Sequence, residues 1–356
     1  MSLAPTPQST ADDWTEHVFS AALGAIDILA IHLGDRLGWY RALADAGPLT
    51  AERLAERTDT HPRYAREWLE QQATSGFLQA SAGDPMTFSL PPGAAESLTD
   101  ERSLAYISPL ARMLVGAATQ MPALLDAYRT GRGVSWDQIG DDARWSQADM
   151  NRPWFEQMLA EAIAGVADVH DVLSRPGARI ADVACGAGWS SIALADAYPQ
   201  ATVVGIDIDT PSIEAARANA AEAGVGDRVS FLTGDAAELD GEFDGVFIFE
   251  ALHDMPRPVE VLQAIKAAVK PDGVCVVMDE GVGDSVTVGD DVERLMYGFS
   301  LFVCLPDGMS SQPSVGTGTV MRPSTLAHYA RDAGFSDTSV LPIEDFSFFR
   351  FYRLHL

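Results

Sequence analysis

The stretch that most constrains the fold of this chain is 180–209, which reads IADVACGAGWSSIALADAYPQATVVGIDID. Residues 180–184 form a short apolar run typical of a buried parallel strand, and a glycine-containing turn at 185–188 separates it from a helical stretch. A second apolar run, 202–206, ends at Asp207. Glycines allow a ligand close to the backbone, a helix N-terminus offers free N–H groups, and a carboxylate at the second strand tip accepts ribose hydroxyls. The stretch therefore predicts a parallel α/β sheet whose turn binds a nucleoside-like ligand.

Three further motifs follow in order. Gly234-Asp235-Ala236 ends a third strand, 243–250 is an apolar strand beginning Phe-Asp, and Lys270-Pro271-Asp272-Gly273 leads into a fifth strand. The dinucleotide pattern needs a third glycine where this chain has Ser191, which disfavours a nicotinamide cofactor. The ordered series resembles the class I S-adenosylmethionine-dependent methyltransferases, and several motifs at family spacing are more specific than any one of them.

This resemblance implies both fold and cofactor: an α/β, Rossmann-like, seven-stranded, mostly parallel sheet with helices on both faces, binding S-adenosyl-L-methionine. Asp182 would order the turn from behind, Asp207 would hold the ribose, and Asp235 would accept from the adenine amino group. The residues expected at the cofactor are Asp182, Gly186, Gly188, Asp207, Ile208, Asp235, Ala236 and Phe249. For each aspartate the alternative is that it only caps the next helix.

The candidate catalytic residue is His253, in the Leu252-His253-Asp254 run just past the fourth strand. A phenol has a pKa near ~10, so an imidazole that removes its proton would accelerate transfer by roughly 10²–10⁴-fold. In plant-type O-methyltransferases, which this run resembles, flanking acids orient such a base, and here Glu280, or Asp279, is the candidate. The second flanking acid of those enzymes has no counterpart near 321–323. The alternative is a structural role, because relatives that carry out other methylations also have a histidine at this position, where it only hydrogen-bonds its loop. No metal is expected, because the cofactor already carries a good leaving group.

Two segments are expected to line the acceptor pocket. The resemblance places Phe155 and Met158, on a helix preceding the first strand, against cofactor and acceptor, with core packing as the alternative. A long insertion, 281–322, follows the fifth strand, and insertions at this edge of a parallel sheet overlie the ligand crevice. Its apolar helix carries Phe299 and Phe302 on one stripe, so we expect a lid, with packing against the N-terminal domain as the alternative.

The N-terminal region reads as three helices and a hairpin, a winged helix. The domains expected are 1–100 (winged helix and dimerisation), 101–170 (helical connector, with a polar loop at 130–145) and 171–356 (methyltransferase, with the lid). The apolar stripe from Val18 to Leu33 has no evident partner in so small a domain, and related O-methyltransferases use this domain to dimerise. A DNA-reading regulator is the alternative, but Glu67 and Glu70 accompany Arg63 and Arg66 in the would-be recognition helix.

The net charge of the chain limits the classes of molecule that it can bind. The net charge is −27 with two lysines, so the surface repels nucleic acid and anionic lipid. The beginning lacks the basic flank and apolar core of a signal peptide, and no run of about 18 apolar residues occurs. The three cysteines, Cys185, Cys275 and Cys304, lack metal-site or disulfide spacing. We expect a cytoplasmic homodimer without nucleic-acid or membrane partners.

The predicted function is methyl transfer to a hydroxyl of an aromatic or polyketide-like small molecule. The same fold also serves nitrogen and carbon methylation, which is the first alternative. A cofactor-binding winged-helix regulator is the second.

Overall fold

The computed structural model describes residues 10–356. Residues 1–9, the start of the expected 1–100 domain and of the segment considered for a signal peptide, lie outside the described residues. The chain divides into two compact units, the first ending at Val115 and the second comprising Gly116–Leu356.

The first unit is a helical winged helix, as the sequence predicts. Its core is formed by aromatic and leucine side chains that include Trp39, Leu54 and Leu69. The indole Nε1 of Trp68 donates to the carbonyl of Ala30 at 2.9 Å and so joins the first helix to the fourth. The elements are α1 (Ala11–Arg36), α2 (Trp39–Ala46), α3 (Ala51–Thr58), α4 (Pro62–Thr74), β1 (Gln79–Ser81), β2 (Thr87–Ser89), α5 (Pro92–Thr99) and α6 (Ser108–Thr119), which contains the unit boundary.

Helix α1 is notable for its length and exposure. Thr10 and Asp13 form a capping box at its N-terminus, which satisfies backbone N–H groups that a helix start leaves free. Among residues 10–356, α1 is the one helix that is long and apolar enough to cross a membrane by length and composition, and 11% of its most apolar window is buried. Core helices and signal sequences meet the same criterion, so the finding is weak evidence of a span.

The second unit contains the large sheet and its helices. Its elements are α7 (Met121–Thr130), α8 (Trp136–Ile139), α9 (Asp141–Trp154), a π-helical turn (Phe155–Leu159), α10 (Ala160–Ala164), α11 (Ala167–Leu173), β3 (Arg179–Val183), α12 (Trp189–Ala197), β4 (Thr202–Asp207), α13 (Thr210–Glu222), β5 (Val229–Thr233), β6 (Phe243–Phe249), α14 (Pro258–Ala268), β7 (Val269–Glu280), α15 (Asp291–Phe299), a second π-helical turn (Ser300–Cys304), α16 (Leu305–Ser310), α17 (Pro323–Asp332), β8 (Asp337–Val340) and β9 (Phe349–His355).

The seven strands are ordered β5-β4-β3-β6-β7-β9-β8, which confirms the predicted sheet. The first five strands of that order pair in parallel, and β9 is antiparallel to both β7 and β8. Two apolar clusters, one containing Ile180 and the other Val183, cover the two faces. The strand order reverses at β3, between β4 and β6. Ligands bind at such a switch point, beyond the carboxyl ends of the strands.

The prediction of a polar loop at 130–145 is wrong in part. The segment contains α8 and the beginning of α9, and Ile139, Ala143 and Arg144 are buried. Polar side chains normally indicate a solvated loop, but Arg144 faces Asp209 at the tip of β4. A helix that contacts polar strand tips therefore has the sequence pattern of an exposed segment.

Candidate functional site

The glycine turn lies at the carboxyl end of β3. Gly186 (φ +51°) and Gly188 (φ +81°) both adopt left-handed backbone conformations that favour glycine. A Cβ added at Gly188 would come within 3 Å of Phe231 and Ala216, whereas one added at Gly186 would meet no atom within 4 Å. Gly188 is thus required for close packing of helix and sheet, and Gly186 borders open space in which a ligand can approach the backbone.

Asp182 lies behind this turn. Its Oδ2 accepts hydrogen bonds from the hydroxyls of Ser190 and Ser191, each at 2.6 Å. Burial raises the pKa of Asp182 to about 6, although both hydroxyls oppose the shift. The carboxylate therefore fixes the first turn of α12, the position that the family resemblance implies.

Asp207, at the tip of β4, faces the turn from the other side. Its Oδ2 accepts from the backbone N–H of Gly186 and its Oδ1 from that of Asp209, both at 2.8 Å. Burial raises the pKa of Asp207, and the backbone N–H groups oppose the shift. The neighbouring Ile208 side chain is 75% exposed although it is apolar. A carboxylate with spare lone pairs beside an uncovered apolar surface suits a ribose joined to a flat base.

Asp235 has two partners in this structure. Its Oδ1 accepts from the N–H of Ala237 at 2.9 Å, and its Oδ2 from Arg257 at 3.2 Å. Asp235 thus caps a short 3₁₀ turn that contains Ala236, while its side chain stays 40% exposed. Phe249 lies deeper, 6% exposed and stacked on Phe247 with ring centroids 5.5 Å apart.

His253 lies in a short 3₁₀ turn after β6 and is 2% exposed. Its Nδ1 is 2.9 Å from Oδ1 of Asp279 and 3.3 Å from Oε2 of Glu280. Its Nε2 is 3.3 Å from Oδ1 of Asp254. Asp279 therefore provides the shortest contact to the ring, and Asp254 contributes an acid on the opposite side that sequence reasoning did not assign. Near 321–323, where a second acid was sought, the chain has none.

These acids control the charge of the imidazole. Burial alone would lower the pKa of His253, but Asp254, Asp279 and Glu280 more than compensate and hold it well above its usual value. Burial, with the charge of Asp279, raises the pKa of Glu280 well above its usual range. Burial also acts to raise the pKa of Asp279, but His253 and Glu280 outweigh it and keep that pKa below its usual value. The group thus shares protons between one imidazole and adjacent carboxyl groups.

Helix α9 lies across the strand tips. Arg144 binds both carboxylate oxygens of Asp209, at 2.7 and 3.0 Å, and its side chain is 4% exposed. Two helical turns later, Asn151 donates to Oε2 of Glu250 at 2.7 Å. Glu250 leaves β6 with φ +52°, next to the β3 tip, where Ala184 has φ +58°. Strained backbone at adjacent strand ends is typical of ligand sites.

Sequence reasoning assigned no role to Arg144, Asn151, Glu250 or Cys304. One signal was present, because Arg144 and Asn151 are seven residues apart and so share one helix face.

The expected pocket residues fall into two groups. Phe155 is 7% exposed and contacts Phe249, with ring centroids 5.5 Å apart, and Met158 packs against the same core cluster. Phe299 and Phe302, in the 281–322 insertion, are more accessible, and Phe302 is 36% exposed. Among the described residues, neither ring forms an aromatic contact with His253.

The insertion nevertheless contacts the His253 loop through other residues. The N–H of Gly318 donates to the carbonyl of His253 at 3.2 Å. Arg322 pairs with Glu293 and donates to the carbonyl of Gly283 at 2.7 Å, which ties together the two ends of the insertion. Cys304, in the second π-helical turn, carries a half-buried free thiol next to His253.

Comparisons with known proteins find matches to both units of the chain. A family model described as a methyltransferase domain matches residues 174–295, and one described as an Rv2258c-like winged HTH domain matches 24–100. The 27-O-demethylrifamycin SV methyltransferase of Amycolatopsis mediterranei is 30% identical over 231 residues, which cover 62% of this chain and 75% of that protein.

Solved structures match nearly the whole chain. The structure of the mitomycin 7-O-methyltransferase MmcR is 25% identical, covers 96% of this chain and 97% of its own, and has a TM-score of 0.73. Human N-acetylserotonin methyltransferase in complex with S-adenosylmethionine (SAM) is 17% identical, covers 98% and 99%, and has a TM-score of 0.67. At that identity the second match indicates a shared fold alone.

Proposed function

Because the chain belongs to the class I S-adenosylmethionine-dependent methyltransferases with an N-terminal winged-helix domain, we propose that it methylates a hydroxyl of an aromatic or polyketide-like small molecule. The observation that carries this proposal is His253, placed at the crevice edge of the sheet and contacted by Asp279 at 2.9 Å. Related proteins named for rifamycin and mitomycin methylation support a small-molecule acceptor.

Several residues are suited to hold the cofactor, which supplies a methyl group on a sulfonium leaving group when bound. Gly186 offers open space next to the backbone, and Asp207 offers one further acceptor position on each oxygen. The exposed Ile208 side chain would cover one face of the adenine. Asp235 would have to accept from the adenine amino group in addition to its present donors.

Glu250 is the proposed partner of the methionine ammonium group. It lies at the β6 tip, beside the glycine turn, and Asn151 orients it from α9. Asp182 and Asp207 are engaged elsewhere, behind the turn and at the ribose. Burial raises the pKa of Glu250 to about 7, so a neighbouring ammonium would favour its charged form.

His253 is the proposed base. When Nδ1 donates to Asp279, Nε2 keeps a lone pair that can accept the proton of an acceptor hydroxyl placed beside Asp254. Asp279 would stabilise the imidazolium that results, with Glu280 providing a further proton-sharing group. The acids that favour imidazolium also require the pH to rise before the neutral base is populated.

The exposure of α1 and the charge of the chain bear on assembly and location. Seven large apolar side chains of α1 are about half exposed or more, which supports a homodimer built on that helix. In α4, Arg63 pairs with Glu67 and Arg66 with Glu52, which leaves little free positive charge for nucleic acid. With a net charge of −27, we infer a cytoplasmic protein that binds neither nucleic acid nor membrane.

The test is transfer of labelled methyl from S-adenosylmethionine to a panel of phenols, polyketides, amines and activated carbon acids. The proposal predicts product that carries the label on oxygen. Label on nitrogen or carbon would select the first alternative, and cofactor binding without turnover on any acceptor would favour a regulator.

A further inference from the structure

The side of His253 opposite Asp279 forms a second constellation, with a thiol in it. Single donor atoms of His253, Asp254 and Cys304 all lie within 4.8 Å of one another. The residues come from two parts of the fold, the turn after β6 and the π-helical turn of the 281–322 insertion. Proton abstraction by His253 requires no thiol here, and the cofactor residues lie elsewhere.

The donor types match those of a zinc site. Zinc binds thiolate at about 2.3 Å, imidazole at about 2.0 Å and carboxylate at about 2.0–2.2 Å, in tetrahedral geometry. These lengths place the ligand atoms roughly 3.3–3.6 Å from one another. The Nε2 of His253 is already 3.3 Å from Oδ1 of Asp254. A small movement of the thiol would complete three ligands and leave a fourth position for water.

One hydrogen bond orients the histidine ligand. Asp279 contacts Nδ1 at 2.9 Å, which fixes the ring and leaves Nε2 directed at Asp254, as carboxylates do behind metal-bound histidines. Oδ1 of Asp254 is shielded from solvent, with Nε2 of His253 at 3.3 Å, and the Cys304 thiol is hydrogen-bonded to the same carboxyl group. The three side chains therefore already face one another, and a shielded carboxylate oxygen gains from a cation.

Two of the three residues are partly exposed. The Asp254 side chain is 34% exposed and Cys304 is half-buried, whereas the His253 side chain is 2% exposed. A second combination, His253 with Asp279 and Glu280, is entirely buried, contains no thiol and uses the nitrogen that orients the ring. The Cys304 side is therefore the favoured one.

We propose that a thiophilic divalent cation of the zinc class binds Nε2 of His253, Asp254 and the Cys304 thiolate, and that it blocks the base. On binding, the thiol loses its proton to solvent and the metal occupies the lone pair that would accept the acceptor proton. The metal is an inhibitor and not a cofactor, since transfer from a sulfonium needs no Lewis acid.

Cobalt(II) is the probe, because thiolate ligation gives it a charge-transfer band in the near ultraviolet. The full chain, reduced with a phosphine, is titrated with Co²⁺, and the band is then displaced by Zn²⁺ to obtain the zinc affinity. We expect the band in the wild type and its loss in Cys304→Ser, with zinc affinity at least about tenfold weaker. Cys275→Ala is the matched control, since this cysteine is buried in β7, and should keep the band.

Melting curves show that each variant is folded, and Cys304→Ala replaces Cys304→Ser if the latter is not. Absence of the band in wild type, or its persistence without Cys304, would overturn the site. Zinc should also inhibit methyl transfer in the wild type. The inhibitory role rests on the proposed function, whereas the cobalt band does not, so the two failures are distinguishable.

Discussion

At the scale of single residues, the crevice is an assembly of carboxylates stabilised in three different ways. Backbone N–H groups donate hydrogen bonds to Asp207, the guanidinium of Arg144 donates to Asp209, and the imidazole of His253 is hydrogen-bonded to Asp279. Each arrangement suits a different task, because N–H groups leave lone pairs free, a guanidinium neutralises charge, and an imidazole exchanges protons. Substitutions at these positions should therefore have distinguishable effects.

Asp207→Ala tests the ribose assignment. The change removes an acceptor from both ribose hydroxyls, so calorimetric binding of S-adenosylhomocysteine should weaken by ~2–3 kcal/mol, the range for charge-assisted hydrogen bonds. Asp227→Ala, in an exposed turn of the same unit, is the control. Equal affinity in Asp207→Ala and wild type would refute the role of this carboxylate.

Glu250→Gln tests the ammonium contact by comparing two ligands. Affinity for S-adenosylhomocysteine should fall by about tenfold or more, because a charge-assisted bond is lost. Affinity for 5′-methylthioadenosine, which has no amino-acid portion, should stay the same. If both ligands weaken equally, Glu250 only supports the fold.

Glu250→Gln should also change the number of protons released when the ligand binds. The pKa of Glu250 is raised to about 7, so binding of an ammonium group that favours the charged form should release a proton near neutrality. Calorimetry of S-adenosylhomocysteine binding in two buffers of different ionisation enthalpy measures this release. Wild type should release more protons than Glu250→Gln, and an equal release would argue against the contact.

His253 determines the pH dependence of turnover. Its pKa is raised by Asp254, Asp279 and Glu280, so the neutral base becomes populated only as pH rises through that raised value. For a phenolic acceptor, wild-type kcat should therefore increase with pH above 7. His253→Ala should lower kcat by ~10²-fold or more near neutrality, with a smaller loss as pH approaches the phenol pKa of about 10.

Two measurements separate this base from a structural histidine. Cofactor affinity should be nearly unchanged in His253→Ala if the imidazole faces the acceptor. A histidine that only holds its loop would instead lower the melting temperature and reduce turnover equally at every pH. A variant with wild-type kcat near pH 8 would exclude the base.

At the scale of elements, α9 and the 281–322 insertion both contact the loops at the carboxyl edge of the sheet. Helix α9 contacts the tips of β4 and β6 through Arg144 and Asn151. The insertion reaches the His253 loop through Gly318 and carries Cys304 there. Elements that cover parallel strand ends exclude water and position the acceptor, which a transfer reaction needs.

Arg144→Lys tests the role of α9. A lysine cannot reproduce the two parallel bonds to Asp209, so the free energy of unfolding should fall by about 1.5–3 kcal/mol. Cofactor binding should weaken as well, since Asp209 directly follows the Asp207–Ile208 pair. Arg129→Lys, on the exposed side of α7, is the control. Unchanged melting and binding in Arg144→Lys would show that α9 does not position the β4 tip.

At the scale of the whole molecule, α1 carries a series of exposed apolar side chains. Seven of its large apolar side chains are about half exposed or more: Trp14 59%, Val18 64%, Phe19 63%, Leu23 49%, Ile26 51%, Leu29 51% and Leu33 50%. Contiguous apolar surface of this kind usually marks an interaction site. A second copy of the chain is the simplest partner, because a twofold interface joins like surfaces.

Light scattering tests this assembly. The wild type should be a dimer at tens of micromolar, because an interface of ordinary size is stable there. The double change Val18→Asp and Ile26→Asp should give monomers, since charge on both sides of a twofold axis repels. Tyr64→Asp, exposed on α4, should leave the dimer intact. A monomeric wild type would refute the proposal, and flotation with vesicles would indicate a membrane partner instead.

The sheet, the cofactor and the glycine turn could all be predicted from the amino-acid sequence. Strand, turn and helix periodicity are local properties, and the Gly186 and Asp207 positions follow from backbone conformation and register within one βαβ unit. The pattern of His253 also predicted an acid at β7. Which acid lies nearer the ring depended on the tertiary structure: Oδ1 of Asp279 is 2.9 Å from Nδ1, and Oε2 of Glu280 is 3.3 Å from it.

The contacts made by α9 and the insertion at the strand tips could not be predicted from the sequence. Arg144 and Asn151 have the composition of a solvated loop, and their contacts with Asp209 and Glu250 join residues 65 and 99 positions apart. Cys304 approaches His253 because the insertion folds back over the β6 loop. Such contacts form between segments that are far apart in the sequence. Hydrophobic periodicity and local motifs describe neighbouring residues, so they do not predict these contacts.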